Sequence, residues 1–204
     1  METEVKPAAP PARSPRALVP YRLTVEQFLR IVDTGVLDDV RVELIRGRLV
    51  ERMVKHEPHN AAVDALARRL RSLLEPAYSV REEKSVRLGD DSRPEPDLAV
   101  TRGEPRSCGP KGPQAEHLAL VAEVSDSTYA KDRGPMWSLY AGAGVPVYWV
   151  VNIPKKQVEV YSEPAGEGRA AGYGKAAVFA AGSEAPVVVD GREFGKIAVN
   201  DILP

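Results

Sequence analysis

Residues 118–123 read Leu-Ala-Leu-Val-Ala-Glu, five apolar residues in succession followed by a carboxylate. A continuous apolar run of this length is typical of a strand that is buried on both faces of a sheet. Glu123 extends the same strand, where an ionised carboxylate is costly unless it is paired or binds a metal. This stretch therefore predicts a central strand whose end carries an unusual charged group.

A second carboxylate, Asp97, begins the short strand predicted just before it, at 97–100. If the two strands run antiparallel and Val100 pairs with Leu120, Asp97 lies directly opposite Glu123. Directly opposed residues have Cβ atoms about 4.5–5.5 Å apart. The sequence thus predicts that two carboxylates, far apart in the chain, converge at one edge of the sheet.

Two carboxylates that close together repel each other, so a proton or a cation must be shared between them. A hard cation such as Mg²⁺ suits the pair, because it takes oxygen ligands and keeps several waters. A second interpretation stays open at this point. Glu123 could pair with Arg133 or Lys131, while Asp97 caps a turn after Pro96.

The remaining patterns place helices and further strands around this pair. Thr24 is a typical N-cap for a short helix that Gly35 ends, and apolar spacing predicts a long helix over 58–74. A further helix is predicted over 134–143, a hairpin within 40–54, and strands at 80–88, 147–153, 157–161, 176–180 and 186–189. The order predicts an α+β fold built on a mixed sheet flanked by helices.

Composition limits the class of protein and of partner. The 204 residues allow one domain, predicted over 21–204, after a proline- and alanine-rich disordered arm at 1–20. A net charge of −1 excludes whole-molecule attraction to DNA or membranes, so a charged partner needs a local patch. No apolar run is long enough for a membrane helix, and the single cysteine, Cys108, favours a cytoplasmic location.

Four sequence blocks in this order resemble a known family. They are VELIRGRLVE at 42–51, PDLAV at 96–100, LVAEVSDST at 120–128 and YAGAGVPVYWVV at 140–151. The chain is similar in these blocks to the Uma-type family of putative restriction endonucleases, which belongs to the PD-(D/E)XK nuclease superfamily. The resemblance extends over about 21–204.

The resemblance implies a restriction-endonuclease-like fold that hydrolyses phosphodiester bonds in DNA. It implies that Asp97 and Glu123 bind Mg²⁺ (or Mn²⁺), that Glu43 is an accessory acid and that His59 lines the same pocket. By pattern alone, Glu43 would lie on the solvated face of a hairpin. His59 would, by the same standard, be a packed or capping residue of the long helix.

The chain departs from the family pattern at the lysine. The superfamily places a lysine two residues after the glutamate, where this chain has Ser125; the family places one four residues after Asp132, where it has Met136. Methionine can neither donate a proton nor hold a charge. The nearby substitute is Lys131, which is expected in a loop because 134–135, Gly-Pro, is a typical helix start.

We expect from the sequence a Mg²⁺-dependent DNA endonuclease that is weakened by the loss of the usual lysine, for which Lys131 is the candidate replacement. The alternative is a catalytically inactive binding or assembly module that retains the nuclease fold, which Met136 favours. A homodimer is expected because two-fold symmetry is the commonest oligomeric arrangement. Arg102, Arg106 and Lys111 in the long loop are candidate phosphate contacts.

Overall fold

The computed structural model describes residues 19–109 and 111–204, so nearly all of the predicted arm at 1–20 lies outside the described residues. Its helices are α1 (Val25–Asp33), α2 (Glu57–Leu74), α3 (Tyr129–Lys131) and α4 (Trp137–Gly142). A π-helical turn, Asp132–Met136, connects α3 to α4. The strands are β1 (Val42–Ile45), β2 (Arg48–Glu51), β3 (Tyr78–Glu82), β4 (Leu98–Arg102), β5 (Leu118–Ser125), β6 (Val147–Asn152), β7 (Gln157–Ala165), β8 (Gly172–Ala180), β9 (Glu184–Val189) and β10 (Arg192–Ala198).

A six-stranded sheet in the order β3-β4-β5-β6-β7-β8 forms the centre of the described part of the chain. Only β5 and β6 run parallel; the other neighbours are antiparallel. Two hairpins, β1–β2 and β9–β10, stand apart from this sheet. The predicted α+β class with a mixed sheet flanked by helices is therefore confirmed.

The sheet buries an apolar layer on each face. On one face α2 contributes Leu66 and Leu70 to a cluster that includes Leu120 and the β9–β10 hairpin. On the other face Tyr140 of α4 packs with Val121 in a second cluster. Every residue of β5 is buried, including the apolar run 118–122 whose composition predicts a strand enclosed on both faces. The strand that carries Glu123 is thus enclosed from both sides.

Local signals fix the elements that border the site. Thr24 and Gln27 form a capping box at the start of α1. The β1–β2 turn has positive φ at both Arg46 (48°) and Gly47 (74°), the geometry of a type I′ hairpin. A Cβ on Gly47 would lie 2.6 Å from the Cβ of Arg22, so the segment that contains Arg22 packs closely against this turn.

Three sequence predictions differ from the structure. The strand expected over 80–88 ends at Glu82, because Glu83 takes a positive φ of 47°. The helix expected over 134–143 is preceded by helical residues from Tyr129 onward, and the wider π turn carries the chain across Pro135. The prediction that Lys131 lies in a loop is therefore wrong. Strand β10 was not predicted.

Within the described residues, no helix is both long and apolar enough to cross a bilayer.

Candidate active site

The two predicted carboxylates meet at the edge where β4 and β5 pair. Val100 is the partner of Leu120, the register that the sequence argument assumed, and this brings Asp97 beside Glu123. The Asp97 main-chain N–H donates to Glu123 Oε2 at 3.2 Å, and the Val124 N–H donates to Asp97 Oδ2 at 2.7 Å. Each carboxylate is therefore held by the backbone of the other strand.

Asp97 is buried but surrounded by hydrogen-bond donors. The Nζ of Lys55 lies 2.5 Å from Oδ1, and the Nε2 of His59 lies 3.1 Å from Oδ2. Burial opposes ionisation of Asp97, yet His59 and Lys55 outweigh it and lower the pKa of this carboxyl to about 2. Lys55 also contacts Glu83 at 2.5 Å. Asp97 is consequently a carboxylate at neutral pH.

Glu123 lies in a very different electrostatic environment. Its Oε1 accepts a hydrogen bond from the Tyr140 hydroxyl at 2.7 Å. Burial, and then the negative charges of Asp97 and Asp132, raise the pKa of Glu123 well above its usual range. Among the described residues, no cationic side chain forms an ion pair with Glu123 within 4 Å. This carboxyl therefore needs a proton or a cation from outside the chain.

Glu43 and Lys131 close one side of the cluster. Glu43 is 3% exposed, and its Oε1 accepts from the Glu95 N–H at 3.2 Å. Its Oε2 has no hydrogen-bond partner among the described residues, while the Nζ of Lys131 lies 3.7 Å away. Lys131 thus reaches the cluster from the end of α3. The structure places all five sequence-predicted site residues together: Glu43, His59, Asp97, Glu123 and Lys131.

The residues at the two usual lysine positions have other contacts. Ser125 donates to Oδ2 of Asp132 at 2.7 Å, and Thr128 donates to the same oxygen. Met136 is 1% exposed and belongs to the apolar cluster beneath α4. Neither Ser125 nor Met136 lines the cavity that contains the carboxylates.

The simpler interpretation of the carboxylates does not match these contacts. Arg133 faces Glu159 at 3.9 Å and stacks between Trp137 and Tyr161, so it is not the partner of Glu123. The side chain of Asp97 accepts from the neighbouring strand. It does not cap a turn.

Comparison with known proteins identifies a family for this chain and supports its fold. The family model Uma2, described as a putative restriction endonuclease, matches residues 25–189. The chain belongs to the Uma2 family. A solved structure, a putative nuclease belonging to DUF820 from Anabaena variabilis ATCC 29413, is similar with a TM-score of 0.62. At 15% identity it covers 88% of this chain and 97% of its own, which supports the fold. No curated protein matches the chain.

Sequence reasoning missed three members of this Uma2 site. Lys55 and Arg52 come from the segment between β2 and α2, where no periodic pattern indicates which way a side chain points. Arg52 contacts Glu43 at 3.4 Å and also pairs with Glu95. Tyr140 falls at a helical core position, so its hydroxyl contact with Glu123 has no signal in the sequence.

The Uma2 site carries an excess of negative charge. Its cavity is lined, among the described residues, by six carboxyl groups and three basic side chains: Glu43, Glu95, Asp97, Glu123, Asp126 and Asp132 against Arg52, Lys55 and Lys131. The excess is three negative charges when every carboxyl is ionised and the histidines are neutral. A divalent cation would offset most of it.

The donor set fits a hard divalent ion. No group of three or more His, Cys, Asp or Glu side chains is arranged for metal binding within 19–109 and 111–204. Mg²⁺ does not require one, because it is usually bound through one or two carboxylates and keeps its remaining waters. Asp97 and Glu123 supply such a pair, and the unpartnered Oε2 of Glu43 is a further oxygen beside them.

Proposed function

We propose that this Uma2 chain is a Mg²⁺-dependent endonuclease that hydrolyses phosphodiester bonds in DNA. The observation that carries the proposal is the convergence of Asp97 and Glu123 at one sheet edge, where the second carboxyl has no cationic partner. The family description supports a nuclease. Mn²⁺ is the expected substitute for Mg²⁺ because it prefers the same oxygen ligands.

Asp97 and Glu123 would hold the ion, which when bound would supply Lewis-acid polarisation of a phosphoryl oxygen and a more acidic bound water. The chain's own groups prepare that place. His59 and Lys55 keep Asp97 ionised, and the Tyr140 hydroxyl orients Glu123 through Oε1.

Lys131 is the proposed replacement for the usual lysine. Its Nζ lies beside Glu43 and its charge favours ionisation of Glu123. A protonated amine there can donate a proton to a leaving oxygen or orient the attacking water. Glu43, as an accessory acid, keeps the ammonium directed into the cavity.

The test is nicking of supercoiled plasmid with Mg²⁺ or Mn²⁺ by the natural chain, Asp97→Asn and Glu123→Gln. We expect both variants to lose at least about 100-fold in rate, within the range for charge stabilisation in active sites. Asp201→Asn, an exposed acid paired only with Arg69, is the matched control and should cut normally. Equal activity in the natural chain and Asp97→Asn would end this assignment.

A second candidate function is a catalytically inactive binding or assembly module with the nuclease fold. The specific observation is that the Lys55 ammonium already contacts Asp97 Oδ1, where a metal ion would bind. Calorimetry with Mn²⁺ on the natural chain and Lys55→Ala separates the two. Binding in both supports the enzyme, whereas binding that appears only in Lys55→Ala indicates that the lysine has replaced the ion.

We also propose that the chain acts as a cytoplasmic homodimer. The support is general, since duplex-cutting requires two strand cleavages and two-fold dimers are the commonest assemblies. Light scattering on the full chain should give twice the 22.2 kDa of one chain. A mass of one chain at micromolar concentration would contradict the dimer.

A further inference from the structure

A groove rich in arginine lies beside the carboxylate site. Two adjoining cavities, of about 610 and 590 Å³, are both lined by Arg22, Arg46, Ser138 and Arg169. The second cavity also contacts Arg48 and Arg133. We call this surface the arginine groove and define it by these six residues. It lies between the β1–β2 hairpin and the helical segment from α3 to α4.

The charges of this groove are largely uncompensated. In the described part of the chain, Arg22, Arg46, Arg48 and Arg169 have no carboxylate within ion-pairing distance. Asp91 and Glu116 line the first cavity, and no acidic residue among those described lines the second. Elsewhere Arg69 pairs with Asp201 and Arg102 with Asp190, while Arg68 and Arg192 are exposed without an ion pair among the described residues. The groove is distinguished by the convergence of several such arginines on two adjoining cavities.

Arg46 is fixed at the centre of the groove. Its Nη2 donates to Ser138 Oγ at 3.0 Å and to the Gly168 carbonyl at 3.1 Å. Burial, and then the positive charge of Arg169, lower the pKa of Arg46, and the negative charge of Asp91 offsets this only in part. Two guanidinium groups held near each other without an ion-paired carboxylate form a favourable place for an anion.

The groove continues from the proposed active site along two shared elements. Glu43 and Arg46 lie three residues apart on the β1–β2 hairpin, with Arg46 in its turn, so their Cα atoms are at most about 11 Å apart. Lys131 and Arg133 lie two residues apart on the helical segment. A span of about 11 Å corresponds to at most about three nucleotides along one DNA strand.

We propose that the arginine groove binds the sugar-phosphate backbone of a DNA strand within about three nucleotides of the bond to be cleaved. This inference rests on the proposed nuclease function, because it assigns the groove to the same substrate. Arginine forks match phosphate oxygens in two-point contacts, and such contacts set the register of a nucleic acid without reading its sequence. A single small anion would occupy only one of the two cavities.

The test uses Arg48→Glu/Arg169→Glu, since both side chains are exposed and outside the apolar clusters. The matched control is Arg68→Glu/Arg192→Glu, two exposed arginines without ion pairs on the opposite side of the sheet, with the same change in charge. The probes are a fluorescently labelled DNA duplex and one of its single strands. Affinity is measured by anisotropy across a NaCl series in EDTA, where cleavage is excluded.

We expect the groove variant to lose about 10-fold or more in affinity and the salt slope to fall by about two, one for each lost phosphate contact. The control should keep its salt slope and lose less than about three-fold. If only the affinity for the duplex falls, the groove binds duplex DNA. If the affinity for the single strand falls as well, the groove binds both forms. Equal loss in both variants, or no loss in either, overturns the proposal.

The endonuclease assignment and the groove proposal can be disproved independently of each other. Asp97→Asn should bind DNA as the natural chain does, because the groove lies outside the carboxylate pair. A natural chain that binds through the arginines without cutting in Mg²⁺ or Mn²⁺ overturns only the endonuclease. A chain that cuts equally well, with an unchanged KM, after Arg48→Glu/Arg169→Glu overturns only the groove.

Discussion

Met136 stands where the family pattern places a lysine, but it does not face the carboxylate cavity. Its side chain is 1% exposed in an apolar cluster with Val121 and Tyr140. Met136→Lys would place an unpaired charge there. We expect the free energy of unfolding to fall by at least about 3 kcal/mol, the scale of an uncompensated buried charge, without gain in nicking. Urea denaturation of the natural chain and the variant measures this difference in the free energy of unfolding.

The matched substitution is Met136→Leu, which conserves volume and should cost less than about 1.5 kcal/mol. If Met136→Lys instead kept its stability and gained activity, the side chain would have to reach the carboxylate cavity, contrary to the packing seen here.

Lys131 carries the second prediction at the residue scale. Lys131→Met removes the charge from a side chain that is 35% exposed, so folding should be unaffected while nicking falls by about 10²–10⁴-fold. Lys131→Arg separates two roles, because arginine keeps its charge but does not release a proton. Activity retained in the arginine variant would contradict acid–base transfer and leave an electrostatic role. Lys156→Met, an exposed turn residue, is the control.

The sequence predicts the side-chain direction of some site residues but not of others. Asp97 and Glu123 could be predicted because strand alternation fixes each side chain relative to its neighbours, and Val100 and Leu120 fix the register. Lys55 could not, since it precedes α2 in a segment without periodicity. The groove arginines could not either, because they come from four segments, distant in the sequence, that meet only in the folded chain.

Among the elements, β7 carries a buried carboxylate outside the proposed site. Glu159 is 3% exposed, and Tyr161, Gln157 and Tyr129 all donate to it. Burial raises the pKa of Glu159, but these donors outweigh it and the pKa lies below its usual value. The stabilisation is therefore complete above the unfolded pKa of about 4.3 and is lost as the pH falls through the lower folded value.

We expect Glu159→Gln to lower the free energy of unfolding by about 1–3 kcal/mol at pH 7. The difference from the natural chain should shrink below about pH 4, as the natural carboxyl becomes protonated. Urea denaturation over this pH range measures it. Glu163→Gln on the same strand removes only an exposed pair with Lys175 and should cost less than about 1 kcal/mol. A difference that stayed constant with pH would show that Glu159 acts through packing.

The boundaries of helices and strands could be predicted where particular residue types mark a cap or a turn. The Thr24 capping box and the positive φ of Gly47 could be anticipated from residue types. The start of α3 could not, because Pro135 normally ends or begins a helix and only the π turn allows the chain to pass it. That single turn decides whether Lys131 is helical, and so how it enters the site.

For the whole molecule, the net charge of −1 conceals two separated regions of opposite sign. The carboxylate cavity has an excess of three negative charges when all its carboxyl groups are ionised, and the arginine groove begins at the turn of the β1–β2 hairpin. Such an arrangement suits a substrate whose backbone is anionic and whose cleavage needs a cation. Net charge averages these regions, so composition excluded global attraction to DNA while leaving local attraction open.

Ion binding to the carboxylate pair should be visible in the stability of the whole fold. A ligand that binds only the folded state at about 100 times its Kd adds about 2.7 kcal/mol, or roughly 5–10 °C in Tm for a chain of this size. We therefore expect Mn²⁺ to raise the Tm of the natural chain, Asp97→Asn and Glu123→Gln to lose the shift, and Asp201→Asn to keep it. Because Lys55 competes for Asp97, Lys55→Ala should show a larger shift at the same concentration. Equal shifts in all five proteins would mean that the ion binds elsewhere, and the pair would then be held together by a proton alone.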